Sequence, residues 1–244
     1  MARTWVVICR ASLASMCLAS TLFAQTAKSP SESVSGLVEQ FQNKTMFWEQ
    51  FEVAKKIVAL RDTSALQGLE PWLSNEDMHR RGNAAFIFAS LGDDRGFLVI
   101  RAILEDRSAN RAVFENDSTG APSPALQIRG DRYYAAHLFG DLRDPRAVPI
   151  LVPLLKDQEV NSVVPWSLGE IGDKSAIPPL IETLGDNSPD MRVLAIYALE
   201  KLKAKEALPR LLALLDDEER IHFDGLGSVS EAARAATAKL TEIP

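Results

Sequence analysis

Asp144-Pro145-Arg146-Ala147-Val148-Pro149, Asp173-Lys174-Ser175-Ala176-Ile177-Pro178 and Lys205-Glu206-Ala207-Leu208-Pro209 are three versions of one phrase. Its alanines stand at 147, 176 and 207, in steps of 29 and 31 residues. A short phrase returning at a period of about 30 marks a helical-hairpin repeat, whose units bury their apolar faces only against one another. Upstream the same position falls on Ala65 and Gly96. The longer step from Gly96 to Ala147 equals one ordinary repeat plus an insertion of about 20 residues.

Each anchor opens a first helix. Residues 65–73, 97–104, 148–155, 177–184 and 208–215 carry apolar side chains at helical spacing. Asp62, Asp94, Asp144 and Asp173 precede them, where a carboxylate caps free backbone N–H groups. Pro71, Pro149, Pro153, Pro178 and Pro209 fall inside these segments and predict a recurring bend, because proline removes a backbone hydrogen bond. A second helix follows each first one. With Ala84, Ala135, Val164, Ala195 and Ala233 as register zero, position +4 is Phe88, Phe139, Leu168, Leu199 and Thr237. Position +7 is Leu91, Leu142, Ile171, Leu202 and Leu240, on the same face. One step earlier the register selects Val53, Ile57 and Leu60, so 45–61 is a second helix with 34–42 before it. The reading is an all-α solenoid of about six hairpins, at 34–61, 62–93, 94–143, 144–172, 173–204 and 205–242.

The runs Asp-Pro-Arg-Ala-Val-Pro-Ile-Leu-Val-Pro-Leu-Leu-Lys-Asp (144–157) and Trp-Ser-Leu-Gly-Glu-Ile-Gly-Asp (166–173) resemble HEAT repeats, of the short type also seen in phycobilisome lyases. The resemblance covers nearly all of the chain after residue 33. It implies a right-handed superhelix (an α-solenoid) with the second helices on its concave side. It implies little about function, because the family includes scaffolds, lyases and metal-dependent hydroxylases.

Two insertions break the period, each between the helices of one pair. Residues 107–128 carry Asp117-Ser118-Thr119-Gly120, flanked by Val113-Phe114 and by Leu126-Gln127-Ile128; residues 217–230 carry Ile221-His222-Phe223-Asp224-Gly225. Each can form a small β-hairpin on a shared rim. They are either a partner contact or tolerated loops.

The amino-terminal stretch reads as an export signal. Arg3 and Arg10 flank a short apolar lead, 11–23 is apolar or small, and a cut after Ala24 is expected; an uncleaved anchor is the alternative. Residues 25–33, rich in Ser, Thr and Pro, read as a tether. Both cysteines, Cys9 and Cys17, lie in the signal, so no disulfide and no thiol nucleophile is expected after it. Without Arg3 and Arg10 the formal net charge moves from −6 to −8. An acidic chain without a basic block argues against nucleic acid or an anionic membrane as partner.

The candidate site is position +2 of the second helices, which points away from the packing face. Phe86, His137, Trp166 and Tyr197 occupy it in successive hairpins, Tyr133 extends the row, and Asp141, Glu170 and Lys201 border it. Rings with a few polar groups suit a protein or peptide groove; the alternative is that curvature presses them into the core. Arg81, Arg132 and Arg192 recur at position −3, as a structural ladder with nearby acids or as an anion-binding stripe. Signatures of catalysis are few. His79, His137 and His222 are the three histidines, and none precedes a Glu, whereas the HEAT-like hydroxylases hold iron with His-Glu pairs. Gly225-Leu226-Gly227-Ser228 lacks the Gly-Lys-Ser/Thr of a phosphate loop, and no Gly-x-Ser-x-Gly elbow is present. His137 and Asp141, one turn apart, are the one possible acid–base pair. No catalytic residue, cofactor or metal ligand is assigned. The sequence therefore reads as an exported, periplasmic or secreted, non-catalytic scaffold that binds a protein or peptide. The alternative is an enzyme of the lyase or oxidoreductase kind.

Overall fold

A computed structural model describes residues 33–108, 123–222 and 227–242. The expected signal and nearly all of the tether lie outside these residues, as do the tip of the first insertion and 223–226 of the second. Among the described residues, twelve α-helices make six hairpins. The first helices are α1 (Val34–Asn43), α3 (Ala65–Leu69), α5 (Asp94–Glu105), α7 (Val148–Leu151), α9 (Ile177–Thr183) and α11 (Leu208–Leu212). The second helices are α2 (Phe47–Leu60), α4 (Met78–Ser90), α6 (Pro124–Leu142), α8 (Val164–Ile171), α10 (Pro189–Lys201) and α12 (Val229–Glu242). No helix among the described residues is long and apolar enough to cross a membrane.

The recurring prolines do more than bend the first helices. They divide them into short turns: 3-10 turns at Pro145–Ala147 and Val152–Lys156 flank α7, and similar turns precede α9 and α11. Pro149, Pro153, Pro178 and Pro209 each stand at the first or second position of their segment, where a missing N–H costs least. Asp93, rather than Asp94, caps α5, because its carboxylate is the one that reaches the Arg95 N–H. Asp144 and Asp173 accept from the N–H groups of Arg146 and Ser175, as the sequence predicts.

Second helices pack on one another from α2 to α12, whereas successive first helices touch extensively only between α1 and α3. The zero positions Ala84, Ala135, Val164, Ala195 and Ala233 are fully buried, as are Phe88, Phe139, Leu168 and Leu199 at +4. The second helices come closest through glycines. A Cβ on Gly140 would meet Trp166 and Ser167, and one on Gly169 would lie 3.2 Å from the Ala198 Cα.

The anchors are the crossing points within hairpins and between them. Ala65, Ala147, Ala176 and Ala207 are buried. At Gly96 even alanine is excluded: its Cβ would stand 2.2 Å from the Ala85 carbonyl oxygen and 2.3 Å from the Ala89 nitrogen. The end of each second helix is equally regular. Arg61, Gly92, Arg143, Gly172 and Lys203 all have positive φ, in the same steps as the anchors. The left-handed residue stops the helix and turns the chain into the next repeat.

Two elements depart from the sequence reading. Leu126-Gln127-Ile128 is helical rather than an arm of a β-hairpin, because the Ser123 hydroxyl caps the helix at the Leu126 N–H and Pro124 pre-sets its first turn. In the second insertion the described residues form one antiparallel bridge, Arg220 with Ser228, supported by Val229 N–H donating to the Glu219 carbonyl.

A buried polar cluster joins the first three hairpins. Asn83 donates to the Phe47 carbonyl at 2.8 Å and to Gln50 Oε1 at 3.0 Å, and the Tyr134 hydroxyl donates to Asn83 Oδ1. His79 packs against the rings of Phe47 and Tyr134, with centroids at 4.4 and 4.9 Å, the two rings themselves meeting edge-on at 5.2 Å, and its Nδ1 is 3.2 Å from Asp131 Oδ1. Gln127 donates to the same carboxylate oxygen at 2.8 Å. Burial pushes the His79 pKa down, against the pull of Asp131 and Asp77.

Three outcomes follow from this packing. Gly96→Ala lowers stability by about 3 kcal/mol, read by denaturant unfolding, since backbone and not a pliable side chain stands in the way. Leu168→Ala and Leu199→Ala each cost about 2–5 kcal/mol in the same assay, and wild-type midpoints would contradict their placement in the seam. Because the folded-state pKa of His79 is depressed, protonation favours the unfolded chain. Stability is therefore present at neutral pH and falls as pH drops below about 6.5, and the fall is absent in His79→Gln. A pH-independent melting temperature between about 7.5 and 5.5 would refute the assignment.

Candidate functional site

The surface of α6, α8 and α10 carries most of the predicted row. Tyr133, His137 and Asp141 follow one another at one-turn spacing on α6, Trp166 and Glu170 do so on α8, and Tyr197 and Lys201 on α10. Gly140 sets the geometry. Its missing Cβ, which would lie 2.7 Å from Trp166 Cζ3, lets α8 approach until the indole lies flat on His137. The two rings are 4.1 Å apart at 22°, a stacked pair, and both side chains are half-buried.

The polar groups around this pair are held in place. His137 Nδ1 lies 3.0 Å from Asp141 Oδ2 without hydrogen-bond alignment, so the two groups are adjacent rather than bonded. Glu170 is gripped by Lys201 from α10 and by Arg143 Nη2 at 3.1 Å. Ser167 Oγ donates to the Ala136 carbonyl at 2.9 Å, pinning α8 to α6. The result is a planar, partly apolar platform with a carboxylate one turn along α6 and α8 and the Lys201 ammonium one turn along α10. It can hold a flat conjugated group by stacking and accept N–H donors at its edges.

The other predicted members of the row diverge. Tyr197 is 51% exposed and extends the platform onto α10. Tyr133 is half-buried and packs against the core. Phe86 is only 5% exposed and meets Phe51 edge-on at 5.0 Å, so its ring fills the space between α2 and α4 and offers no surface.

Of the arginines at position −3, Arg132 and Arg192 bridge hairpins, whereas Arg81 donates to the Asn75 carbonyl of its own hairpin at 2.6 Å. Arg132 is fully buried; it donates to the Leu104 carbonyl at 2.9 Å, to Asp157 at 2.7 Å and to Glu159. Burial raises the Asp157 pKa, but the Arg132 hydrogen bond and the Glu159 N–H outweigh it and keep the carboxyl below its ordinary value. Arg192 repeats the arrangement with Asp217 at 2.9 Å and Glu219 at 3.4 Å. Glu159, Asp217 and Glu219 escaped the sequence reading. Their signal was present: Asp157-x-Glu159 and Asp217-x-Glu219 each begin 25 residues after a position −3 arginine.

Comparison with known proteins places the central repeats. Residues 131–157 match the PBS lyase HEAT-like repeat and 156–221 match HEAT repeats. The phycocyanobilin lyase subunit alpha of a Picosynechococcus species is 41% identical over 99 residues, which are 35% of this chain and 36% of that protein. The bilin biosynthesis protein PecE of a Nostoc species is 30% identical over 142 residues, 57% of this chain and 51% of that protein. The chain thus spans between about a third and a half of the length of these relatives. Among solved structures, the complex of CpcE and CpcF of phycocyanin lyase from Nostoc is 17% identical, covers 85% of this chain and 82% of that one, and has a TM-score of 0.38. A designed armadillo repeat protein is 18% identical, covers 85% of this chain and all of that one, with a TM-score of 0.45. Repeat period, buried anchors and matched segments agree: the chain is a HEAT-repeat protein with repeats of the phycobilisome-lyase type.

Proposed function

We propose that the chain is a bilin-lyase-type subunit that holds an open-chain tetrapyrrole on the platform of α6, α8 and α10. The carrying observation is the His137–Trp166 stack with Asp141 beside it, His137 and Asp141 lying within residues 131–157, which match the PBS lyase HEAT-like repeat. A bilin is flat, conjugated and rich in pyrrole N–H groups. Stacking on Trp166 buries its face, and Asp141 is placed to accept its N–H groups. His137 and Asp141 also supply the one imidazole–carboxylate pair on this surface that can move a proton during attachment or release of the chromophore. The name of the first relative, a subunit, supports a second protein at work beside this one.

The reading as a non-catalytic scaffold shares the same surface and rests on Tyr197, an exposed ring of the kind that anchors a peptide. The bilin reading has the added support of the relatives, and it replaces the scaffold as the main proposal. Export to the periplasm or medium stays a separate proposal, tested by fractionation of the native host.

Titration of the purified chain with phycocyanobilin or biliverdin, followed by absorption, separates the two. Binding is expected to shift and sharpen the red absorption band. Trp166→Ala is expected to weaken it by about tenfold, the loss of roughly 1.4 kcal/mol of stacking, with unchanged helical circular dichroism. A free-pigment spectrum at saturating protein, or equal affinity in the variant, would overturn the bilin reading and leave the scaffold.

A further inference from the structure

One position of the second helices changes its charge in order along the array. At +6 from register zero, one turn beyond the row of rings, stand Ala59, Ser90, Asp141, Glu170, Lys201 and Lys239, from α2 to α12. The position is uncharged on the first two helices, acidic on α6 and α8, and basic on α10 and α12. The platform lies across the change of sign, with Asp141 at its α6 edge and Lys201 at its α10 edge.

The charges at the second edge are not matched one to one. Glu170 is nearly enclosed, with 13% of its side chain exposed, and both of its oxygens are engaged. Oε1 accepts from Lys201 Nζ, and Oε2 accepts from Arg143 Nη2 at 3.1 Å. Two cations thus meet one carboxylate, and one positive charge is in excess. Asp141, the other acid of the platform, lies against His137 instead. Lys239, by contrast, is matched by Glu200 at 2.5 Å. The two cations are also open to solvent, with the side chains of Arg143 and Lys201 exposed to 67% and 47%. A guanidinium has five N–H groups and an ammonium three, so each keeps donors beyond the one given to Glu170. The fold fixes where they stand. Arg143 is the left-handed residue that ends α6, with φ of 54°, and Glu170 holds its fork beside α8.

We infer that Arg143 and Lys201 are the dock for a carboxylate of the ligand, so that a bilin lies on the platform in one direction only. This inference rests on the bilin reading and deepens it. A bilin carries propionate side chains as well as pyrrole N–H groups, and a propionate is ionised at neutral pH. Placed between the guanidinium and the ammonium, it gains charge-assisted hydrogen bonds and brings the edge to two cations and two carboxylates. The pyrrole N–H groups then face Asp141. The reversed orientation sets a propionate against Asp141, and like charges in contact exclude it.

The test titrates the full chain, at neutral pH, with biliverdin and with biliverdin dimethyl ester, in which both propionates are neutral. The quantity read is the ratio of the two affinities. Its change between proteins cancels the added methyl groups and isolates the coupling between protein charge and ligand carboxylate. The double variant Arg143→Gln, Lys201→Gln is expected to lower the ratio by about fivefold, with both pigments still bound through stacking and helical circular dichroism unchanged. Glu170→Gln removes the internal competitor for the same two cations and is expected to raise the ratio, which a purely structural role for Glu170 would not do. The same ratio in the wild type and the double variant, or a lower ratio in Glu170→Gln, would overturn the dock and leave the bilin reading standing. A free-pigment spectrum for both compounds on the wild type would overturn the two together.

Discussion

Everything in this array depends on how closely two helices can cross at one small residue per repeat. At Gly96 a single added carbon would collide with backbone on α4, and the equivalent alanines are all buried. A solenoid has no central core to absorb an error. Each hairpin must therefore meet its neighbour at a fixed distance, or every later seam position is displaced. The anchors set that distance, the positive-φ residues at the helix ends set the turn into the next unit, and the apolar seam at positions zero and +4 then closes.

The same constraint explains what was legible in the sequence. Anchor spacing is a property of one residue type at one interval, so it survives in the chain as text. Register zero and +4 are likewise periodic, and they fall on buried side chains through the tenth helix. Other features depend on three-dimensional neighbours. The row at +2 is uniform in sequence, yet Phe86 is drawn inward by Phe51 while Tyr197 stands in solvent, because packing around the row changes along the array. That Gly140 permits the His137–Trp166 stack requires knowing which helix lies opposite it. The Asp-x-Glu partners of Arg132 and Arg192 were readable by interval, but only once the loop between paired helices is recognised as facing the preceding repeat.

Charge follows a division of labour along the fold. At the outer turns, Arg95 and Arg146 each lie over a ring, Phe88 at 5.1 Å and Phe97 at 4.5 Å, while closing on their own capping aspartates and on an acid of the preceding hairpin. The hydrogen bonds of those arginines hold Asp93 and Asp144 below the usual carboxylate range. These pairs are exposed and add little individually. Buried pairs such as Arg132 with Asp157 are different, since a guanidinium in that position without its carboxylates would be left uncompensated. The acidic surplus of the chain is thus partly consumed in joining repeats, and what remains is gathered at a few places, among them the loop of the last hairpin.

Four of the six first helices, α3, α7, α9 and α11, are short and adjoined by 3-10 turns, which sets them apart from the longer second helices. Chains of 3-10 turns and proline-led segments have few consecutive main-chain bonds of their own, whereas α4, α6, α10 and α12 are continuous and brace one another. Of the two layers, the one built of second helices is the better braced. The ring pair on its face is fixed by helix packing before anything docks on it, which lowers the ordering cost of any contact made there.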